Sequence, residues 1–204
     1  LNLYEDSEDT GDEYDYSPAP NPMTLTSAET FGDVRTLRDT GLEGVLEVRY
    51  DLHLPSGIER NREHRRPDTV ACRTATRVRL RHGSPVAEVE VVFDNRARDH
   101  RLRAVFPTPV VTRTLVSDGH FLVNERPIDG AEGADWVQPP PATRPQQDFS
   151  LVCDGKRGLA IFNRGLPEIE AVPCRSADGI PKGGAQPAGE APPGAAGRPP
   201  GTTL

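Results

Sequence analysis

The sequence has 204 residues, of which 35% are hydrophobic and 27% charged, enough for one substantial core or two small ones. The formal net charge of −7 arises within residues 1–16, which contain seven acidic residues and no basic one, while the rest of the chain is balanced. Because no net positive field attracts phosphate groups, nucleic acid is not an expected partner.

The compartment is suggested by the cysteines. Cys72, Cys153 and Cys174 are widely spaced and form no Cys-x-x-Cys pair, so we expect small buried thiols in a reducing, cytoplasmic protein rather than disulfides or a metal site. No apolar run approaches the ~20 residues of a membrane-spanning helix, so we expect no membrane partner. The first methionine is Met23, which suggests a piece of a longer protein.

The chain begins with an acidic segment, residues 1–22, that carries Pro18, Pro20 and Pro22. Prolines at this spacing favour an extended lead-in over a helix. Composition alone is typical of a disordered acidic tail.

Strict alternation then begins. Residues 46–54 place leucine, valine and tyrosine on one face and charged residues on the other, which predicts a half-buried strand. The dense mixed-charge run at residues 59–68 is interpreted as a solvated loop.

A hairpin is predicted next, from residues 71–81 and 87–93 joined by the short link at 82–85. The first strand carries four arginines on its polar face and the second carries acidic residues. We expect cross-strand ion pairs, which explain the arginine stripe without a nucleic acid ligand.

Residues 91–107 have two apolar ends around a polar centre. Asp94 and Asn95 favour a turn, because their side chains bond their own backbone. The centre is interpreted as a charged surface connection that cannot belong to the core, held by local Asp–Arg pairs.

The later chain adds short strands at 121–123, 149–153, 159–162 and 169–172, with a Pro-rich loop at 130–147 anchored by Trp136. Regular turns without helical periodicity predict an all-β fold, an antiparallel β-sandwich. Residues 175–204 are rich in Gly, Pro and Ala and are predicted to be a disordered tail. The expected domains are therefore an acidic lead-in at 1–30, the sandwich at 31–174 and the tail at 175–204.

Four blocks of sequence occur in the order found in one family. They are Glu5-Asp6-Ser7 with residues 11–18 (Gly-Asp-Glu-Tyr-Asp-Tyr-Ser-Pro), the motif Asp94-Asn95-x-x-x-Asp99-His100-Arg101-Leu102-Arg103, residues 119–127, and residues 158–170. Together they resemble the C-terminal β-domains of glycoside hydrolase family 38 α-mannosidases, mainly the bacterial type. The resemblance covers roughly residues 1–172.

The resemblance implies a galactose-mutarotase-like β-sandwich that acts as scaffold and substrate-rim accessory in the hydrolysis of terminal α-mannosides. It implies that the nucleophile and a zinc ion belong to a catalytic barrel that precedes this region, so that this fragment binds no cofactor and is inactive alone. Its partners would be that barrel and, through the full-length enzyme, a mannoside. The resemblance also implies further β-sequence after the last block, so the tail suggests a truncated or frameshifted end and a sandwich that lacks its last strands.

No catalytic residue is assigned, since no pair of carboxyls or cluster of zinc ligands is evident. The resemblance places Asp12, Tyr14 and Tyr16 near the substrate rim. It gives structural roles in the motif to Asp94, Asn95, Asp99, His100, Arg101 and Arg103. The alternatives are a stand-alone carbohydrate-binding β-sandwich and a plain interaction module, although few aromatic residues are available as sugar platforms.

Overall fold

The protein is described from a computed structural model, which describes residues 3–12, 16–128, 141–173 and 202–203. Its regular structure is almost entirely antiparallel β-sheet, with one short 3₁₀ turn at Ser27–Glu29. The predicted all-β class is therefore confirmed. Among the described residues no helix is both long and apolar enough to cross a bilayer.

The chain divides into two compact units, residues 1–105 and residues 106–204. The first unit contains β1 (Leu3–Glu8), β2 (Thr24–Thr26), β3 (Asp33–Asp39), β4 (Glu43–Pro55), β5 (Thr69–Arg81), β6 (Ala87–Phe93) and β7 (His100–Val105). The second contains β8 (Pro107–Thr108), β9 (Thr114–Gly119), β10 (Leu122–Pro127), β11 (Arg144–Pro145), β12 (Phe149–Cys153), β13 (Gly158–Phe162), β14 (Glu168–Ile169), β15 (Val172–Pro173) and β16 (Thr202–Thr203).

The first unit is a two-layer sandwich. One layer is a three-stranded sheet in the order β2-β1-β7, and the other is a four-stranded sheet in the order β3-β4-β5-β6. The acidic start of the chain thus supplies the central strand of the smaller sheet. The predicted domain boundaries stay a prediction, but residues 3–8 and 24–26 lie in sheet structure.

The core of the first unit lies between these two layers. Tyr4 from β1 packs with Tyr50, Leu52 and Leu54 from β4 and with Cys72 from β5. The Tyr4 and Tyr50 rings are 6.3 Å apart, and the Tyr4 hydroxyl bonds the Thr76 hydroxyl at 2.8 Å. Burial raises the pKa of both tyrosines, so these hydroxyls act as neutral hydrogen-bonding groups inside the core.

The two layers differ in length. β4 and β5 each have 13 residues, whereas β1 and β7 have six. Leu54 is 2% exposed beneath the smaller sheet, but Leu80 at the other end of the same sheet is 57% exposed. The predicted strands at residues 46–54 and 71–81 are confirmed. Their inward-facing side chains are buried only where the smaller sheet covers them.

The predicted β5–β6 hairpin and its ion pairs are confirmed. Arg77 donates to Glu90 at 3.0 Å and Arg79 to Glu88 at 3.4 Å. Arg77 and Arg49 also close over Glu47, at 2.8 and 2.6 Å, and leave it 1% exposed. These hydrogen bonds, that of Arg77 foremost, hold the Glu47 pKa below its usual range.

The second unit contains a four-stranded sheet in the order β10-β9-β12-β13. Val110, Leu115 and Val152 form its core. Asp118 accepts the backbone amides of residues 147, 148 and 149 at 2.9, 2.7 and 3.1 Å. Burial would raise the Asp118 pKa, but these three bonds hold it below its ordinary value.

Three further expectations have mixed outcomes. Cys72 is buried as predicted, but Cys153 is exposed, so the expectation of buried thiols is wrong there. Trp136, Cys174 and residues 174–201 lie outside the described residues. Of the predicted disordered tail at 175–204, the structure describes only Thr202–Thr203, which form β16 and pair with β8 and β15.

The unequal coverage predicts unequal mutational costs. Leu54→Ala should destabilise the chain by about 2–5 kcal/mol because it leaves a cavity in a closed core. Leu80→Ala should cost no more than about 0.5 kcal/mol, as at other exposed sites. Urea unfolding followed by circular dichroism measures both. Equal losses would mean that Leu80 is packed in solution.

Candidate functional site

The central acidic strand, β1, is buried along nearly its whole length. Glu5, Asp6, Ser7 and Glu8 are 3%, 2%, 5% and 0% exposed. Strand geometry sends Tyr4, Asp6 and Glu8 to one face and Glu5 and Ser7 to the other. A buried carboxylate needs a cation or several hydrogen bonds to offset its lost hydration, so the partners of β1 define the chemistry of this region.

The Asp6 carboxylate contacts two side chains from different parts of the chain. Arg65 donates through Nη2 to Asp6 Oδ1, and the His100 Nδ1 lies 2.5 Å from Asp6 Oδ2. All three side chains are at most 4% exposed. His100 Nε2 lies 3.0 Å from Asn95 Oδ1, which connects Asp6 to the turn before β7.

Arg65 is positioned by the segment between β4 and β5, residues 56–68, which we call the excursion. Ser56 and Asp68 join the two ends of this segment. The Ser56 amide donates to the Asp68 carbonyl at 2.9 Å, and the Ser56 hydroxyl donates to the Asp68 carboxylate at 2.6 Å. Further along, Ile58 and Arg65 form an antiparallel bridge. The interpretation of residues 59–68 as a solvated loop is therefore wrong for Arg65, whose guanidinium compensates a buried carboxylate.

The turn before β7 is joined to the same cluster. The Asp99 backbone adopts a left-handed φ of 52°, a conformation that Asp tolerates better than most residues. Its carbonyl accepts the Asp9 amide at 2.9 Å, and the Arg98 amide donates to the Ser56 carbonyl at 3.2 Å. These hydrogen bonds therefore join the turn both to the end of β1 and to the start of the excursion.

The motif residues do not share one environment. Asp94 pairs with Arg96 at 2.9 Å on the surface, as expected of a local pair. His100, however, has a side chain that is only 4% exposed, and Ala97 belongs to the core. The expectation that this centre cannot be core is therefore wrong for these two residues. His100 can be buried because Asp6 provides its imidazole with a buried polar partner.

The outer face of the smaller sheet carries a second set of charges. Glu5 stands opposite Arg103, and Ser7 stands opposite Arg101. Arg103 donates through Nη2 to Glu5. The Arg101 guanidinium lies 3.4 Å from the centre of the Tyr16 ring, a cation–π stack, and Tyr16 donates to the Ser7 hydroxyl at 3.4 Å.

Hydrogen bonds join the described parts of the acidic loop after β1, residues 9–12 and 16–17. Asp9 accepts the amides of Gly11 and Ser17 at 2.9 and 3.0 Å, and the Thr10 amide donates to the Ser17 carbonyl at 2.7 Å. Asp12 belongs to the described part of this loop, whereas Tyr14 lies outside the described residues. Of the expected rim residues, the structure thus describes Asp12 and Tyr16.

The described residues do not fit a zinc site. Zinc in proteins takes three or four convergent ligands, and nowhere in the described part of the chain do three His, Cys, Asp or Glu side chains converge. Both Asp6 oxygens already have partners. Buried Glu8 accepts the Met23 amide at 3.0 Å through one oxygen, and its other oxygen has no hydrogen-bond partner among the described residues.

Sequence reasoning missed the pairing of Asp6 with Arg65. The alternation of Tyr4, Asp6 and Glu8 is present in the sequence and places Asp6 on the inner face. Nothing in the sequence selects Arg65 from the chain's 24 basic residues, because the choice depends on the path of the excursion.

The family model described as "Glycosyl hydrolases family 38 C-terminal domain" matches residues 1–171. A putative mannosylglycerate hydrolase from Halalkalibacterium halodurans is 29% identical over an alignment of 186 positions that covers 84% of this chain and 20% of that protein.

Two solved structures are similar as well. An α-mannosidase from Enterococcus faecalis V583 aligns with a TM-score of 0.77 and 26% identity, covering 87% of this chain and 21% of that one. A protein in glycosyl hydrolase family 38 from Enterococcus faecalis aligns with a TM-score of 0.73 and 25% identity, covering 82% and 21%. The chain therefore spans about a fifth of the length of these relatives.

The buried pair predicts a strong difference between two adjacent arginines. Arg65→Met should cost about 3–5 kcal/mol, because it leaves Asp6 charged and buried without its guanidinium partner. Arg66→Met, at an exposed neighbour, should cost no more than about 0.5 kcal/mol. Urea unfolding measures both variants. Adding Asp6→Asn to Arg65→Met should recover part of the loss, and equal effects of the two arginines would contradict a structural role for the pair.

Proposed function

The chain belongs to the glycosyl hydrolase family 38 C-terminal domain family, and we propose that it is the accessory β-domain of an enzyme that hydrolyses terminal α-mannosides. The observation that carries this proposal is the family match over residues 1–171. The names of the relatives support the substrate class, since they include an α-mannosidase and a putative mannosylglycerate hydrolase. The zinc ion and the catalytic carboxyls would belong to a catalytic barrel outside residues 1–204.

The proposed role of this domain is to hold a rigid surface beside that catalytic part. Asp6, Arg65 and His100 fix the relative positions of β1, the excursion and β7 through contacts that water does not reach. Residues fixed in this way hold their neighbours to a fraction of an ångström, which substrate positioning requires. Asp94, Asn95, Asp99, His100, Arg101 and Arg103 are thus proposed as structural residues.

Tyr16 is the proposed rim residue for which the geometry is most informative. Its ring is stacked by Arg101 and its hydroxyl is bonded to Ser7, so the side chain is held in one orientation. It is nevertheless 36% exposed. An aromatic ring that is fixed and partly exposed is suited to contact a sugar. Asp12 and Tyr14 are proposed to lie at the same rim.

A stand-alone carbohydrate-binding module is the second candidate. The exposed rings of Phe31, Phe121 and Phe162 favour it, since such modules bind sugars on exposed aromatic rings. Phe121 is notable because it has a left-handed φ of 67° at a hairpin tip. The two candidates differ in what the isolated chain should do with a mannoside.

If this chain is an accessory domain, we expect the 204-residue chain not to hydrolyse an aryl α-mannoside, with or without added zinc. Retaining hydrolysis requires two carboxyls about 5 Å apart across the scissile bond, and we expect another part of the enzyme to supply them. The measurement is product release by the purified chain, with an active-site variant of a known α-mannosidase as the blank.

Two results would argue against this function. A zinc-dependent rate that survives removal of trace host enzyme would place the catalytic groups within this chain. Saturable binding of a mannoside by the isolated chain, lost in Phe121→Ala but not in Tyr16→Ala, would favour the carbohydrate-binding module.

A further inference from the structure

The tip of the excursion, residues 59–64, contains a residue with an uncommon backbone conformation. Arg62 has a left-handed φ of 61°, which few residues other than glycine adopt. The turn is closed by the Arg62 amide, which donates to the Glu59 carbonyl, and by the Glu59 amide, which donates to the His64 carbonyl, both at 2.9 Å. Strained residues of this kind are concentrated at functional positions. The Arg62 side chain is therefore a candidate for a role beyond its own turn.

The Arg62 side chain leaves the excursion and contacts the acidic loop after β1. Its Nη2 donates to the carbonyl of Thr10, 52 positions earlier in the chain. Thr10 closes that loop, since its amide and its hydroxyl both donate to the Ser17 carbonyl, at 2.7 and 3.0 Å. Arg62 therefore holds the residue at which the two ends of the loop meet.

The acidic loop has a second support from the smaller sheet. Tyr16, near the end of the loop, is stacked by Arg101 and donates to the Ser7 hydroxyl. These contacts fix the Tyr16 ring relative to β1 and β7. The loop is thus held by the smaller sheet at its end and by the excursion, through Arg62, at its start.

Two arginines of the excursion act in different ways. Arg65 is 7% exposed and pairs with the buried Asp6 carboxylate, so its loss should affect stability. Arg62 is exposed and donates to an uncharged backbone carbonyl. Water can replace a donor at an exposed position, so the loss of Arg62 leaves no buried charge unpaired. Arg62 is therefore suited to orient the loop, whereas Arg65 stabilises the fold.

We propose that Arg62 is a positioning residue for substrate binding, which holds the acidic loop, and with it Asp12 and Tyr16, in the arrangement that contacts the mannoside. This inference rests on the proposed function, because the rim role of Asp12 and Tyr16 belongs to that proposal. A loop that is ordered before the substrate arrives does not lose conformational freedom on binding, which favours binding. Loss of the Arg62 side chain should therefore weaken substrate binding without changing the chemical step.

Kinetics of the full-length enzyme that contains this sequence test the proposal. The main variant is Arg62→Gly, because glycine adopts a left-handed φ without strain and the change removes only the side chain. Arg62→Lys keeps a cation that can donate to a carbonyl. Arg60→Ala is the matched control, because it changes another exposed arginine of the same tip. The measurements are KM and kcat for an aryl α-mannoside and the melting temperature of each variant.

We expect Arg62→Gly to raise KM about three- to tenfold and to keep kcat within about twofold of the parent, as when an interaction that binds substrate and transition state equally is lost. Its melting temperature should not fall. Arg62→Lys should recover part of the change in KM, and Arg60→Ala should match the parent.

Three kinetic results would overturn the inference. The first is a parental KM in Arg62→Gly. The second is a joint fall of kcat and melting temperature in that variant, which would assign Arg62 a role in folding alone. The third is an equal effect of Arg60→Ala, which would assign the change in KM to the charge of the tip rather than to the contact with Thr10.

Amide hydrogen exchange of the 204-residue chain reports the loop without any enzymatic activity. In Arg62→Gly the Thr10 amide, which donates to Ser17, should exchange faster than in the parent chain. The Asp94 amide, which donates to the Arg73 carbonyl at 2.9 Å, should exchange at the parental rate. An unchanged rate for the Thr10 amide would also overturn the inference.

These measurements separate the inference from the proposed function. An active α-mannosidase whose KM is unaffected by Arg62→Gly would keep the function and overturn the role of Arg62. A full-length parent that does not hydrolyse α-mannosides would overturn the function and, with it, the substrate role of Arg62, even where exchange of the Thr10 amide depends on Arg62.

Discussion

The buried carboxylate of Asp6 is the constraint on which the first unit depends. A carboxylate 2% exposed in the centre of a sheet is stable only when charged and polar partners surround it. Arg65 and His100 meet this requirement, one at each carboxylate oxygen. Because they come from the excursion after β4 and from the start of β7, one ionic cluster fixes three segments that are distant in sequence.

Much of this unit could be predicted from local pattern. The period-two alternation of residues 46–54 and 71–81 identified β4 and β5, and opposite charges on neighbouring strands identified the pairs of Arg77 and Arg79. These signals are local or depend on a short hairpin. The Asp6–Arg65 pair joins residues 59 positions apart, and no local pattern determines it. The burial of His100 was missed for the same reason, because a polar residue is expected outside until its buried partner is known.

The exposed part of the inner face of the four-stranded sheet shows a different limit of sequence reasoning. Alternation predicted correctly which side of β5 and β6 faces inward, but it cannot tell how far the opposing layer extends. Leu54 and Leu80 occupy the same face of one sheet and differ from 2% to 57% in exposure. An apolar stripe in a sequence therefore identifies the inward side of a strand, whereas the burial of that side depends on how far the opposing layer extends.

Hydrogen exchange in Asp6→Asn, which keeps the shape and removes the charge, tests most directly whether Asp6 holds this unit together. The reporters are three amides outside regular strands: Asp9, which donates to Asp99, Arg98, which donates to Ser56, and Arg66, which donates to Gly57. We predict that all three lose protection together while the β5–β6 hairpin keeps its own. Unchanged protection of these amides in a folded Asp6→Asn protein would contradict the account.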